Sequence, residues 1–290
     1  MKDLHQISVI GMGLLGASLT LTMKRSLSSV KTVGYSHRAV TRKKARELGV
    51  SDVIVEDICE CVANADIVVI ATPICTFEQI FKDISKSIPD GCIVTDVGSV
   101  KVLPHRWAAK HLSRNVRYVG SHPIAGSEKR GVEYSRDDLF SNAQCILTLK
   151  KTTDRNALRT LKNFWSELGC KVNVMSPVEH DRIFARISHV PHVTATALVN
   201  ASDKEAMKFA GKGFIDTSRL ASGPETIWTD ILMTNSDNTA RGIDKLIKEL
   251  TKFQKAVKNR NKKQIERLLL NARDKRSSLI KYKMSKKELI

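Results

Sequence analysis

Residues 11–16 read Gly11-Met12-Gly13-Leu14-Leu15-Gly16, directly behind the apolar run Ile7-Ser8-Val9-Ile10 and directly ahead of Ala17-Ser18-Leu19-Thr20-Leu21. A strand, a glycine-rich turn and a helix in that order form a phosphate-binding corner. The first glycine permits the tight turn, the second lets backbone approach a pyrophosphate, and the third lets the helix pack close on the strand. The phosphates then lie at a helix N-terminus, where unpaired N–H groups and the helix dipole favour negative charge. A second strand-like run, Thr32-Val33-Gly34-Tyr35, follows about 20 residues on, as a dinucleotide site requires. Gly11, Gly13, Leu14, Leu15 and Gly16 are the expected cofactor-binding residues, joined by Thr72 and Pro73 just after a later strand.

The second strand runs into Ser36-His37-Arg38, where an NAD enzyme usually offers an acid to the ribose hydroxyls. A small hydroxyl beside His37 and Arg38, with Arg42 one helical turn further, suits a 2′-phosphate instead. NADP is the expected cofactor and NAD the alternative.

Outward from this corner, short apolar runs at 7–10, 32–35, 67–70, 92–96, 117–119 and 145–147 alternate with amphipathic stretches. That rhythm predicts an α/β fold with a doubly wound parallel sheet. From Ser176 onward the strand-like runs stop, and 179–201 and 238–270 read as helix. Ser176-Pro177-Val178-Glu179 has the form of a helix start: a capping Ser, Pro in the first turn and Glu three residues after the Ser. The sequence therefore divides into a dinucleotide-binding domain over 1–175 and a helical domain over 176–290.

Of 290 residues, 42% are apolar and 27% charged, the composition of a globular protein and not of a disordered one. The longest strongly apolar stretch, 67–74, is far below the roughly 20 residues of a membrane helix. The N-terminus passes straight into the first strand with no room for a signal peptide, so a cytoplasmic protein is expected. Cys59, Cys61, Cys75, Cys92, Cys145 and Cys170 lack paired CxxC spacing and read as reduced thiols. No metal site is expected.

The net charge is +18, and residues 251–290 carry 14 Lys/Arg against Glu266, Asp274 and Glu288. A basic tail of this kind is one route to nucleic acid. Apolar residues recur through it at helical spacing, however, and Tyr282 is its only aromatic after Phe253, so it offers no stacking series for bases. A solvated basic helix face is the favoured reading.

Gly98-Ser99-Val100-Lys101 follows one strand, and Gly120-Ser121-His122-Pro123-Ile124-Ala125-Gly126-Ser127-Glu128 follows the next. If both are loops at carboxyl edges of a doubly wound sheet, Ser99 and His122 face the nicotinamide together. A histidine there can take a hydroxyl proton, and a serine can orient the contact.

These residues resemble a known family. The GxGLxGxS of residues 11–18, GSVK of 98–101, HPIAGSE of 122–128, MSPxxHD of 175–181, SHxPH of 188–192 and GFxDTSR of 213–219 resemble prephenate/arogenate (cyclohexadienyl) dehydrogenase, the oxidoreductase of tyrosine biosynthesis. The resemblance runs in order from the first strand to Trp228. It implies a Rossmann domain, an all-helical C-terminal dimerisation domain, a homodimer, and oxidative decarboxylation of prephenate, arogenate or both.

By that resemblance His122 is the base for the ring hydroxyl and Ser99 its partner, both catalytic. Arg219 anchors a substrate carboxylate, because a planar guanidinium matches it bidentately. His189, His192 and Glu128 line the pocket, and Trp228 stands where some relatives reach the partner subunit's site. Asp181 and His180 are expected to support the site, with Asp181 orienting a neighbouring histidine. His189 and His192 also have the spacing of a zinc pair, but no third ligand accompanies them. Relatives often carry Lys or Arg where this chain has Ile215, and Lys212 is the expected replacement cation. Two other classes compete: another dehydrogenase of Rossmann-plus-helical build, such as a 3-hydroxyacid dehydrogenase, and a non-enzymatic basic protein binding nucleic acid. HPIAGSE together with SHxPH weighs against the first, and the second predicts binding that falls steeply with salt.

Overall fold

The computed structural model describes residues 4–125 and 129–286. A six-stranded sheet, ordered β3-β2-β1-β4-β5-β6, is built from β1 (Gln6–Ile10), β2 (Lys31–Tyr35), β3 (Val53–Val55), β4 (Ile67–Ile70), β5 (Ile93–Asp96) and β6 (Arg117–Tyr118). All its pairings are parallel. Every residue of β1, β4 and β5 is buried. Such strands read as unbroken apolar runs because helices cover both faces of a parallel sheet. Those helices are α1 (Leu14–Ser26), α2 (Ala39–Glu47), α3 (Ile58–Val62), α4 (Phe77–Ile84) and α5 (Val102–His111).

The register puts the carboxyl ends level: Ile10 pairs with Tyr35 and with Ile70, and Ile70 with Asp96. The strand order reverses between β1 and β4, which opens a crevice above those ends. The glycine turn, Thr72 and Ser99 all issue into it.

A second sheet holds β7 (Gly120–Ile124), β8 (Gln144–Thr148) and β9 (Lys171–Met175), in that order, with α6 (Arg155–Glu167) between the last two. β7 runs antiparallel to β8, and β8 parallel to β9. The sequence reads 120–128 as a loop, whereas His122 and Pro123 lie inside β7 and pair with Ile146 and Cys145. Pro123 is tolerated because β7 is an edge strand. The buried indole of Trp165 on α6 donates to Ser121 Oγ at 3.0 Å, and Ser121 shares a hydroxyl contact of 2.5 Å with Thr95 of β5. These bonds fasten the second sheet to the first.

After Met175 no strand occurs among the described residues. The capping expected at Ser176 is present: its Oγ accepts from Glu179 N at 3.1 Å and opens α7 (Pro177–Phe184). The run read as one helix over 179–201 is α7, a π turn over Ala185–His189, and α8 (Val190–Asn200). Pro191 cannot donate back along the helix, and a widened turn next to it relieves the mismatch. There follow α9 (Lys204–Met207), α10 (Lys212–Ser218), a 3₁₀ turn (Arg219–Ser222), α11 (Glu225–Thr234), α12 (Ser236–Lys258) and α13 (Lys262–Ser285). α12 and α13 are separated at Arg260, which has φ 49° and breaks the single helix expected over 238–270. The chain gathers into two compact units, Met1–Ser236 and Asp237–Ile290. No helix among the described residues is long and apolar enough to cross a membrane.

The glycines of the first turn are held by space. A Cβ on Gly16 would lie 1.8 Å from the Gly11 carbonyl oxygen, and Gly11 itself has φ +107°. Gly16→Ala therefore forces α1 off β1. It is expected to cost at least the roughly 1–3 kcal/mol of core overpacking, read as a lowered thermal midpoint with loss of dinucleotide binding; an unchanged midpoint and affinity would contradict the packing argument.

Candidate active site

A cavity of about 310 Å³ opens at the crevice and brings together Gly13, Leu14, Leu15, Thr72, Pro73 and Ser99. Five of these are expected cofactor residues and the sixth is the expected catalytic serine. The donor set fits a dinucleotide. A Cβ on Gly13 would meet nothing within 4 Å, so the backbone there is open to a ligand. Gly13 caps α1 without a side-chain hydrogen bond, and no acidic residue stands in the first turn. The leading N–H groups of a 13-residue helix are thus left to an anion.

Ser36, His37 and Arg38 follow the carboxyl end of β2 without lining that cavity. Ser36 is buried, whereas His37 and Arg38 are exposed. Arg42 turns back on this loop, donating to the carbonyls of Ser36 at 2.8 Å and His37 at 3.1 Å. Its role is to hold the loop's shape, leaving Arg38 as the exposed cation at the end of β2.

Below the crevice lies a buried polar chain. His122 Nδ1 is 2.9 Å from His180 Nε2, and His180 Nδ1 is 2.8 Å from Asp181 Oδ1. Asp181 Oδ1 also accepts the Lys101 N–H and its Oδ2 the Val102 N–H, each at 2.8 Å. With two backbone donors aimed at it, the carboxylate acts as acceptor, so His180 Nδ1 carries a proton. A neutral His180 then has a lone pair on Nε2, which accepts the hydrogen bond that His122 Nδ1–H donates. His122 Nε2 is left with a lone pair.

The charge environment keeps these rings neutral. Burial holds His122 well below the usual imidazole range, helped by the penalty of placing a further proton beside His180 and His189 and by the positive charge of Lys101. Burial likewise takes His180 down to about 2 and His189 to about 4. Burial pushes the Asp181 carboxyl up, against the two backbone N–H groups and Lys101, which pull it down. Lys101 is fully buried against Asp96, whose other oxygen accepts the Tyr118 hydroxyl at 2.6 Å.

The remaining candidates lie on the helical side. Asn235 was not singled out in the sequence; its amide donates to the Asp181 carbonyl at 2.8 Å and stands 3.3 Å from His189 Nδ1. His189 meets Trp228 edge-on at 6.4 Å, and Trp228 stacks on His192 at 3.6 Å. His192 Nδ1 is buried with no hydrogen-bond partner among the described residues. Lys212 and Arg219, with Ile215 between them, share one exposed face of α10 and the turn that follows it. Glu128 lies outside the described residues. No group of three or more metal-ligating side chains occurs among the described residues, so the His189 and His192 pair gathers no third ligand.

Two family models match the chain: "Prephenate dehydrogenase, nucleotide-binding domain" over residues 19–174 and "Prephenate dehydrogenase, dimerization domain" over residues 176–271. A prephenate dehydrogenase of Bacillus subtilis is 33% identical over 286 residues, covering 96% of this chain and 76% of that protein. A cyclohexadienyl dehydrogenase of Zymomonas mobilis is 30% identical over 264 residues, covering 89% of this chain and 90% of that protein. Among solved structures, prephenate dehydrogenase from A. aeolicus in complex with hydroxyphenyl propionate and NAD+ superposes with a TM-score of 0.89 at 32% identity, over 96% of this chain and 99% of that one.

The neutral histidines have a consequence for stability. Burial also lowers His105 to about 3, so His105, His122, His180 and His189 all have folded values below that of the unfolded chain. In such groups the unfolded state takes up protons first, and stability falls as pH drops through about 6.5 toward the folded values. Below pH 6.5 each ring that stays neutral in the folded chain adds a slope of at most about 1.4 kcal/mol per pH unit, so unfolding takes up protons at pH 5. Denaturant unfolding at pH 7.5, 6 and 5 measures the slope; a flat profile would mean that the rings are protonated in the folded state.

Proposed function

The chain belongs to the prephenate dehydrogenase family, and on that footing we propose how its own residues carry out the nicotinamide-dependent oxidative decarboxylation of a cyclohexadienyl substrate. The supporting observation is the His122–His180–Asp181 chain, which leaves a lone pair on His122 Nε2. In this reading Nε2 accepts the proton of the ring hydroxyl as hydride leaves the carbon that bears it. The ring carboxylate departs as CO2, and aromatisation supplies the driving force. The bound nicotinamide supplies the hydride acceptor. The protein's share is orientation and charge placement.

His180 and Asp181 are positioning residues: they fix which nitrogen of His122 is the base. Ser99, in the cofactor cavity, orients the hydroxyl. Gly13 and the first turn of α1 hold the pyrophosphate. Arg219 binds a substrate carboxylate, and Lys212, one turn back on the same face as Ile215, replaces the cation relatives place at 215. His189, His192 and Trp228 form the aromatic wall.

We further infer a division into a dinucleotide-binding domain over 1–175 and a substrate and dimerisation domain over 176–290. The family match over residues 176–271 supports a homodimer through the second. Ser36 and Arg38 at the end of β2 support NADP over NAD, although the A. aeolicus relative was solved with NAD+.

Absorbance at 340 nm with prephenate or arogenate, crossed against NADP and NAD, tests the reaction and both preferences at once. His122→Asn is expected to lower kcat by about 10²–10⁴-fold with little change in KM, as for loss of a positioned base. Arg219→Gln is expected to raise KM strongly, because it removes a contact made in ground and transition states alike. Unchanged kcat in the first, or unchanged KM in the second, removes that residue from its role. Arg38→Ala is expected to erode the NADP preference; equal use of both cofactors by the unaltered enzyme would overturn it.

A further inference from the structure

On the second sheet, β8 and β9 run parallel, and Thr148 pairs with Met175 at their carboxyl ends. Beyond those ends is a cavity of about 660 Å³, sharing no lining residue with the cofactor cavity. Carboxyl edges of parallel strands are where ligands enter α/β sheets. Two helices also begin at the rim, α6 at Arg155 and α7 at Pro177.

The lining has two chemistries. Val102, Leu149, Val174, Met175 and Val178 supply apolar surface. Around them stand Arg106, Lys150, Lys151 and Arg155, with no acidic residue in the lining. Arg106, Lys151 and Arg155 form no ion pair among the described residues, and the Lys150 amine only reaches the His105 carbonyl at 3.5 Å. The nearest acid at the start of α6, Asp154, is committed elsewhere: it accepts the Ala157 N–H at 2.7 Å and lies 3.8 Å from Arg117. Four exposed cations converge on one apolar hollow, a charge distribution that an anion complements. An apolar floor favours a ligand with a hydrophobic body over a simple ion.

We propose that this cavity is a second ligand site, taking a small molecule in which one aromatic ring carries a dianionic group. The ring covers Leu149, Val174 and Met175, and the anionic group lies among Arg106, Lys151 and Arg155. The site backs onto the active-site chain: Val102 in its wall donates to Asp181, and α7 carries His180 three residues after Pro177.

The test is calorimetric titration of the full-length enzyme, saturated with NADP, with phenyl phosphate and with inorganic phosphate. One saturable site is expected for phenyl phosphate, with inorganic phosphate at least about tenfold weaker. Arg106→Ala/Arg155→Ala is expected to weaken phenyl phosphate by at least about tenfold, the scale of losing charged hydrogen bonds. Lys151→Glu on the same rim should do likewise, and both variants should keep the thermal midpoint and kcat/KM of the parent. Arg219→Gln should leave the affinity unchanged. No saturable binding, equal affinity for the two probes, indifference to both rim variants, or loss of binding in Arg219→Gln would each overturn the assignment, the last by placing the probe in the active site.

Discussion

The buried carboxylate of Asp181 is the joint on which the candidate site depends. It accepts the first two N–H groups around the start of α5 and the imidazole N–H of His180, while the backbone carbonyl of the same residue accepts the amide of Asn235. Segments that are 80 residues apart in sequence meet there. A carboxylate is acceptor only, so every group around it must be a donor, and that requirement propagates. It sets the tautomer of His180, and His180 sets that of His122. Removing the side chain would leave two N–H groups and a ring without an acceptor, an outcome costlier than the loss of an ordinary surface pair.

The same burial that makes the joint expensive makes it useful. The base proposed at His122 has to be uncharged before it takes a proton, and burial, with Lys101 and two further histidines close by, keeps that ring neutral. Lys101 is itself paired with Asp96, so it bears on His122 without being an unpaired buried cation. Breaking such a buried pair is far more damaging than never having had it. Acid sensitivity of the fold and readiness of the base are two readings of one arrangement.

The first half of the fold was legible because its rules are local. The glycine turn is read from three positions and a neighbouring strand, and the structure supplies the reasons at the same atoms: crowding at Gly11 and Gly16, open space at Gly13. The cap at Ser176 was readable for the same reason. β7 was read as a loop because Pro123 argues against a strand unless the strand is known to lie at an edge, which only the sheet order reveals. β3, of three residues, and the π turn before Pro191 leave no periodicity to detect. His122 and His180 are 58 residues apart, and Asn235 and His189 46, so no spacing argument could join them. The motifs that carry the family resemblance marked His122, His180 and Asp181 individually; the chain connecting them required coordinates.

The proposed chemistry depends on the protonation state of one ring. Two-bond ¹⁵N–¹H correlation spectra of histidine-labelled enzyme, titrated from pH 8 to pH 5 with His122 assigned by its loss in His122→Asn, read that state directly. The network requires His122 to be neutral across this range, protonated at Nδ1 and bare at Nε2. An Nε2–H tautomer, or an imidazolium already present at pH 7, would contradict it.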